Sequence, residues 1–140
     1  MKKKICVLLT LLIFPTMSNS SSKINLEDYI NSFSWKNRIV LFITKAKYVH
    51  FVNETDIFFK RNKCENEARN LKYVRIVGDE INKYTIPDRY LNKYGIWLIG
   101  YDGQVKSHST DISLLSDIYN IIDTMPIRKR EMTEQNDKCN

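Results

Sequence analysis

The sequence predicts an α/β domain built on a mixed sheet of about four strands with helices on both faces. Three stretches carry that expectation. Ile39-Val40-Leu41-Phe42-Ile43 is β-branched and apolar on both faces, as a strand covered on either side must be. Leu71–Val77 repeats the strand pattern beyond a helical stretch, so the two read as a βαβ unit with a right-handed crossover. Trp97–Lys106 reads as strand, turn and strand, with Asp102-Gly103 as a type I′ hairpin turn that needs positive φ at both central positions. Its first arm is apolar throughout, and the second, Gln104–Ser109, is polar apart from Val105, which suits an edge strand.

The chain opens on a segment of a different kind. Lys2, Lys3 and Lys4 precede an apolar core of about ten residues, Ile5–Phe14, and Ser18 and Ser20 occupy the small-residue positions of an Ala-x-Ala-like cleavage site. The apolar run falls short of the roughly 20 residues needed to span a bilayer. Residues 1–20 are therefore expected to be a cleaved secretory signal, with an uncleaved membrane anchor as the alternative. Cys6 lies too early for a lipoprotein attachment site. Export then implies a periplasmic or secreted protein with no stable membrane insertion after cleavage. Loss of the three lysines takes the formal charge from +6 to +3, so the high whole-chain pI gives no reason to expect nucleic-acid binding.

Residues 21–25 read as a polar lead-in to a short helix. Asn25 is its N-cap, Asp28 adds a first-turn carboxylate, and Leu26, Tyr29, Ile30 and Phe33 form its apolar face. After the first long strand and a loop at 44–48, one helix is expected to run to about Asn70, with Phe51, Thr55, Phe58, Phe59, Asn62 and Leu71 along a drifting stripe. In the second strand Leu71, Tyr73, Arg75 and Val77 face one way, Val74 and Ile76 the other. Pro87 suits the first turn of a helix over 88–94, which Gly95 would close as the C′ glycine. Thr110 or Asp111 would cap a last helix with Ile112, Leu115, Ile118, Tyr119 and Ile122 on one face, stopped by Pro126. The domain is bounded at 21–132, with 133–140 a flexible polar tail.

This order of elements is the thioredoxin arrangement, and three segments narrow the likeness. Tyr29 with Trp35-Lys36-Asn37-Arg38 before the apolar strand is the first. Leu98-Ile99-Gly100-Tyr101-Asp102-Gly103-Gln104-Val105-Lys106 is the second. The third is Ile122-Asp123-Thr124-Met125-Pro126-Ile127-Arg128-Lys129-Arg130-Glu131-Met132. Together they resemble the P-DUDES family, a thioredoxin-like domain of unknown function in small exported bacterial proteins and sushi-repeat-containing animal extracellular proteins. The Met-Pro-x-Arg-x-x-Glu-Met ending is the most specific element, and Ile127 stands where that family often has another Met. The resemblance implies a three-layer thioredoxin-like fold and an extracytoplasmic compartment. Its motif residues here are Trp35, Arg38, Gly100, Asp102, Gly103, Asp123, Met125, Pro126, Arg128 and Glu131. It implies no reaction.

Thiol–disulfide exchange on such a fold needs Cys-x-x-Cys at the start of the helix after the first long strand, where the helix N-terminus lowers the thiol pKa. Residues 44–52 hold no cysteine, and Gly95 falls near the position where thioredoxins place a proline. The expectation is a non-catalytic binding or interaction module for an unidentified protein or small ligand, with Lys45, Lys47, Tyr48, His50 and Tyr94 as the contact set. The rival is a single-cysteine, peroxidase-like enzyme using Cys64. Cys64 and Cys139 remain after signal cleavage, and an oxidising compartment permits a bridge between them; the alternative is one buried thiol and one in the tail. The two histidines, His50 and His108, have no Cys or carboxylate at ligand spacing, so neither a metal nor a cofactor is expected. Arg128-Lys129-Arg130-Glu131 could offer a cationic patch; the plainer reading pairs Arg128 and Glu131 with each other or with the domain's own carboxylates. Asn53-Glu54-Thr55 fits the N-glycosylation pattern, which matters only in a eukaryotic host.

Overall fold

The structure is a computed structural model that describes residues 21–134 and Cys139. The expected signal segment and most of the expected tail lie outside the described residues. Among the described residues six strands and six helices follow in the order β1 (Ile24–Asn25), α1 (Leu26–Asn31), β2 (Arg38–Thr44), α2 (Val49–Arg61), α3 (Lys63–Ala68), β3 (Leu71–Val77), β4 (Tyr84–Thr85), α4 (Asp88–Leu91), β5 (Gly95–Ile99), β6 (Val105–Ser109), α5 (Ser113–Asp123) and α6 (Pro126–Glu134), with a 3-10 turn at Gly78–Lys83 before β4.

The main sheet has the order β3-β2-β5-β6. Strand β2 pairs parallel with β3 and antiparallel with β5, and β5 pairs antiparallel with β6. Every residue of β2 and β5 is buried, which is why both run apolar on both faces, while the polar β6 forms an edge. The pleat divides the core in two. Ile39, Leu41, Ile43, Val74, Ile76, Trp97 and Ile99 pack with Leu26 and Ile30 of α1 and Tyr90 of α4. Val40, Phe42, Leu71, Ile96 and Leu98 pack with Val52 and Phe59 of α2 and Leu114, Leu115, Ile118 and Ile122 of α5. The chain thus forms a three-layer mixed α/β fold with helices on both sheet faces, consistent with a thioredoxin-like arrangement.

Several local expectations are corrected. Neither Tyr101 nor Asp102 has positive φ; only Gly103 does, at 74°. Its amide donates to the Gly100 carbonyl at 3.0 Å, and the register shifts at Leu98/Ile99. The turn is therefore of type I followed by a left-handed glycine, not type I′. The helix expected to reach Asn70 breaks at Asn62, whose backbone leaves helical geometry and whose amide side chain donates to the Phe58 carbonyl at 2.9 Å. Helix α4 ends at Leu91, and Gly95 opens β5 instead of closing a helix. At φ 153° it lies so close to β6 that a Cβ would stand 2.0 Å from the Ser109 carbonyl oxygen. The polar lead-in supplies β1, which pairs parallel with β4. Pro126 takes the first position of α6, where its missing N–H costs nothing. The N-cap of α5 is Ile112, with no side-chain cap bond, rather than Thr110 or Asp111; the Asp111 carboxylate one position earlier accepts the Ser113 amide at 2.8 Å, and the Ser109 and Ser113 contacts hold it down at about 2.

Candidate functional site

The two ends of β2 offer the two candidate sites. At its C-terminal end, Thr44, Tyr48, Phe51, Tyr94 and Thr110 line a cavity of about 260 Å³. Of the expected contact set, Tyr48 and Tyr94 line this space directly. The Lys45 and Lys47 ammonium groups sit over the Tyr94 and Tyr48 rings at 5.8 and 5.2 Å. His50 is not part of it: its side chain is largely exposed and its Nδ1 lies 4.0 Å from Glu54 on the same helix. Tyr48 supplies no side-chain cap to α2, and residues 44–52 contain no cysteine. The position that would hold a redox thiol is thus built from hydroxyls, rings and solvated lysines.

The N-terminal end of β2 is built differently. Arg38 is the first strand residue, and its backbone amide donates to the Asn70 carbonyl at 2.9 Å. The side chain is 1% exposed. Its Nη1 donates to the Arg69 carbonyl at 2.9 Å and to Glu131 Oε2 at 3.0 Å, and the guanidinium lies 4.1 Å from the centre of the Tyr101 ring. The Tyr101 hydroxyl donates to Glu131 Oε1 at 2.5 Å and accepts from Asn70 at 2.9 Å. Burial, then the bond to Glu131, raises the Tyr101 pKa and keeps the phenol a donor.

A second layer fixes α6 and α5 to the same corner. Arg128, 2% exposed, donates to Asp123 at 3.1 Å and to the Ala68 carbonyl at 2.7 Å, and lies 3.8 Å from Glu131. Arg69 grips Asp123 through Nε at 3.0 Å and Nη2 at 2.7 Å, and reaches Glu65 at 2.5 Å. Burial works against ionisation of Asp123, but the Arg69 and Arg128 bonds outweigh it and hold the carboxyl below its usual range. Burial opposes the charge on Arg69, but its bonds to Asp123 and Glu65 outweigh that and raise its pKa. Arginine suits this role because its planar fork satisfies carboxylates and carbonyls together. Cys64 and Cys139 form a disulfide with Cα atoms 5.7 Å apart, tying α3 to the chain beyond α6.

Above this network lies a cavity of about 360 Å³, walled by Trp35, Gly100, Tyr101 and the Met125-Pro126-Ile127 corner, with Asp102, Lys106 and Arg38 reaching it. Asp102 is bonded to Lys106 at 2.7 Å and to the Gln104 amide at 3.0 Å, contacts that lower its pKa against the opposing effect of desolvation. Trp35 stands at this wall 70% exposed and in the left-handed region, φ 63°, its amide donating to the Tyr101 carbonyl at 2.9 Å. A bulky residue at positive φ is a true outlier, held only where its surroundings determine it. Two nitrogens of Arg38, Nε and Nη2, are buried and have no hydrogen-bond partner among the described residues.

The structure thus gathers Trp35, Arg38, Gly100, Asp102, Met125 and Pro126 around one space. Asp123, Arg128 and Glu131 lie beneath it, and Gly103 lies in the adjoining turn. Sequence reasoning missed Arg69, Asn70 and Tyr101 as members. The Glu65–Arg69 spacing of four was an available signal for the first; nothing local marked Asn70. His108 is a structural histidine: its ring packs 3.8 Å from Trp97, Nε2 lies 3.2 Å from the Lys93 carbonyl oxygen, and burial lowers its pKa. Among the described residues no group of three or more His, Cys, Asp or Glu is placed to hold a metal ion, and no helix is long and apolar enough to cross a membrane.

No curated protein and no solved structure matches the chain. One family does, over residues 29–131, a span that opens on Tyr29 and closes on Glu131 and so takes in the whole Arg38 corner. On that match the chain belongs to the family described as a domain of unknown function, DUF4174.

Proposed function

We propose that this protein is an exported, non-catalytic binding module whose ligand site is the cavity between Trp35 and the Met125-Pro126-Ile127 corner. The observation that carries the reading is the pairing of an exposed Trp35 in a left-handed backbone with a buried, half-partnered Arg38 across one apolar space. Backbone strain and an incompletely bonded buried cation both oppose folding, and such features collect at sites of function. The likeness to P-DUDES proteins falls on the same residues and supports both an extracytoplasmic location and a thioredoxin-like ancestry without the redox site. The basic and apolar opening of the chain and the Cys64–Cys139 bridge fit an oxidising compartment. The groove at Tyr48 and Tyr94, with Lys45 and Lys47 beside it, is the second surface such a module would use.

The competing reading is a thiol enzyme using Cys64, which needs that sulfur as a thiolate. Here it is bonded to Cys139, and it lies on α3 rather than at the start of α2. Peroxide consumption coupled to dithiothreitol, compared between the wild-type protein and Cys64→Ser, separates the two. The binding module shows the same background rate in both. Turnover that depends on Cys64 overturns it.

A further inference from the structure

Arg69 and Arg38 use their guanidinium groups in opposite ways. Arg69 spends the edge formed by Nε and Nη2 on both oxygens of Asp123, at 3.0 and 2.7 Å. Arg38 spends only Nη1, on the Arg69 carbonyl and Glu131. Its own Nε and Nη2 form that same two-pronged edge, buried and without a partner among the described residues. Such a fork matches the spacing of two carboxylate oxygens. The remaining charges nearby are matched: Lys106 is paired with Asp102, and Arg128 with Asp123. Unspent cationic bonding capacity is thus concentrated on Arg38. The walls are apolar, Trp35 offers an exposed ring, and about 360 Å³ lies at the small end of ligand pockets, room for one or two fused rings.

Resting on the reading above, we propose that this cavity binds a small carboxylic acid with a flat apolar body, its carboxylate bridging Nε and Nη2 of Arg38 and its rings packing against Trp35, Met125 and Ile127. Both nitrogens are shut off from solvent, so binding carries an outward adjustment of Trp35 or of the Met125–Ile127 corner. The acid exchanges its hydration for a fork that has no partner among the described residues, and that exchange selects charge and planarity together.

The test is calorimetric titration of the intact protein with 2-naphthoate, with 2-naphthamide as its uncharged isostere and with sulfate, alongside the indole N–H resonance of Trp35. Saturable binding of 2-naphthoate, at least tenfold tighter than 2-naphthamide, with a shift of the Trp35 resonance, is expected. Ile127→Trp, which fills the cavity and leaves the Arg38 bonds alone, should weaken it at least tenfold. Arg38→Lys, if folded, should do the same, because an ammonium keeps the charge and loses the fork. Equal affinity for the acid and the amide overturns the carboxylate assignment and leaves the binding-module reading standing. Sulfate binding as tightly as 2-naphthoate overturns the apolar body. Absence of saturable 2-naphthoate binding to the folded protein overturns the inference altogether. The binding-module reading falls separately, on Cys64-dependent turnover.

Discussion

The two ends of strand β2 differ in how their charges are held. At the Thr44 end, the Lys45 and Lys47 ammonium groups stand over rings at more than 5 Å, exposed to water and in no ion pair among the described residues. At the Arg38 end, three arginines and three carboxylates from α3, β2, α5 and α6 interlock at 2.5–3.8 Å around a tyrosine. The lesson is that the end of the sheet leading into α2 is the loosely built part. The effort of the sequence has gone to the opposite end.

That comparison can be broken by removing charges one end at a time. Glu131→Ala leaves Arg38 buried without its carboxylate, and should cost about 3–5 kcal/mol in urea unfolding, the range for stranding one partner of a buried pair. A loss below about 1 kcal/mol would mean that the corner is no more integrated than a surface pair. Trp35→Gly tests the strain directly. It relieves the left-handed backbone of a side chain that is mostly exposed, and should raise stability by about 0.5–1 kcal/mol while weakening any ligand held at the cavity. A destabilised Trp35→Gly protein would show that the indole packs more than it strains. Lys45→Ala, Lys47→Ala and His50→Ala are the smallest changes, each within about 0.5 kcal/mol by the same unfolding measurement.

Much of the fold was legible because burial leaves a mark on composition. Ile39–Ile43 and Trp97–Ile99 announce covered strands by being apolar on both faces, and Leu71–Val77 alternates as a strand with two different faces should. What escaped was set by single contacts. Helices α2 and α3 part at Asn62 because one amide bonds the Phe58 carbonyl, and Asn alone gives no break signal. The pair β1–β4 is two residues long on each side, too short for any period to register. The site was legible in its members and not in its plan. Arg38, Asp123, Arg128 and Glu131 were singled out, yet Arg38 meets Glu131 across 93 positions through strand register and the turn into α6, which no local pattern encodes. Tyr101 was read as part of a hairpin; only the fold reveals that its hydroxyl joins Asn70 to Glu131.

The Arg38–Glu131 bond has a bearing on biogenesis. Folding buries the Arg38 guanidinium, and its carboxylate arrives only with residue 131, 93 positions later in the polypeptide. A polypeptide cut short of Glu131 could close this corner only by burying an unpaired cation. Helix α6 therefore latches onto β2 from 93 positions away, at the same corner where the ligand is proposed to bind.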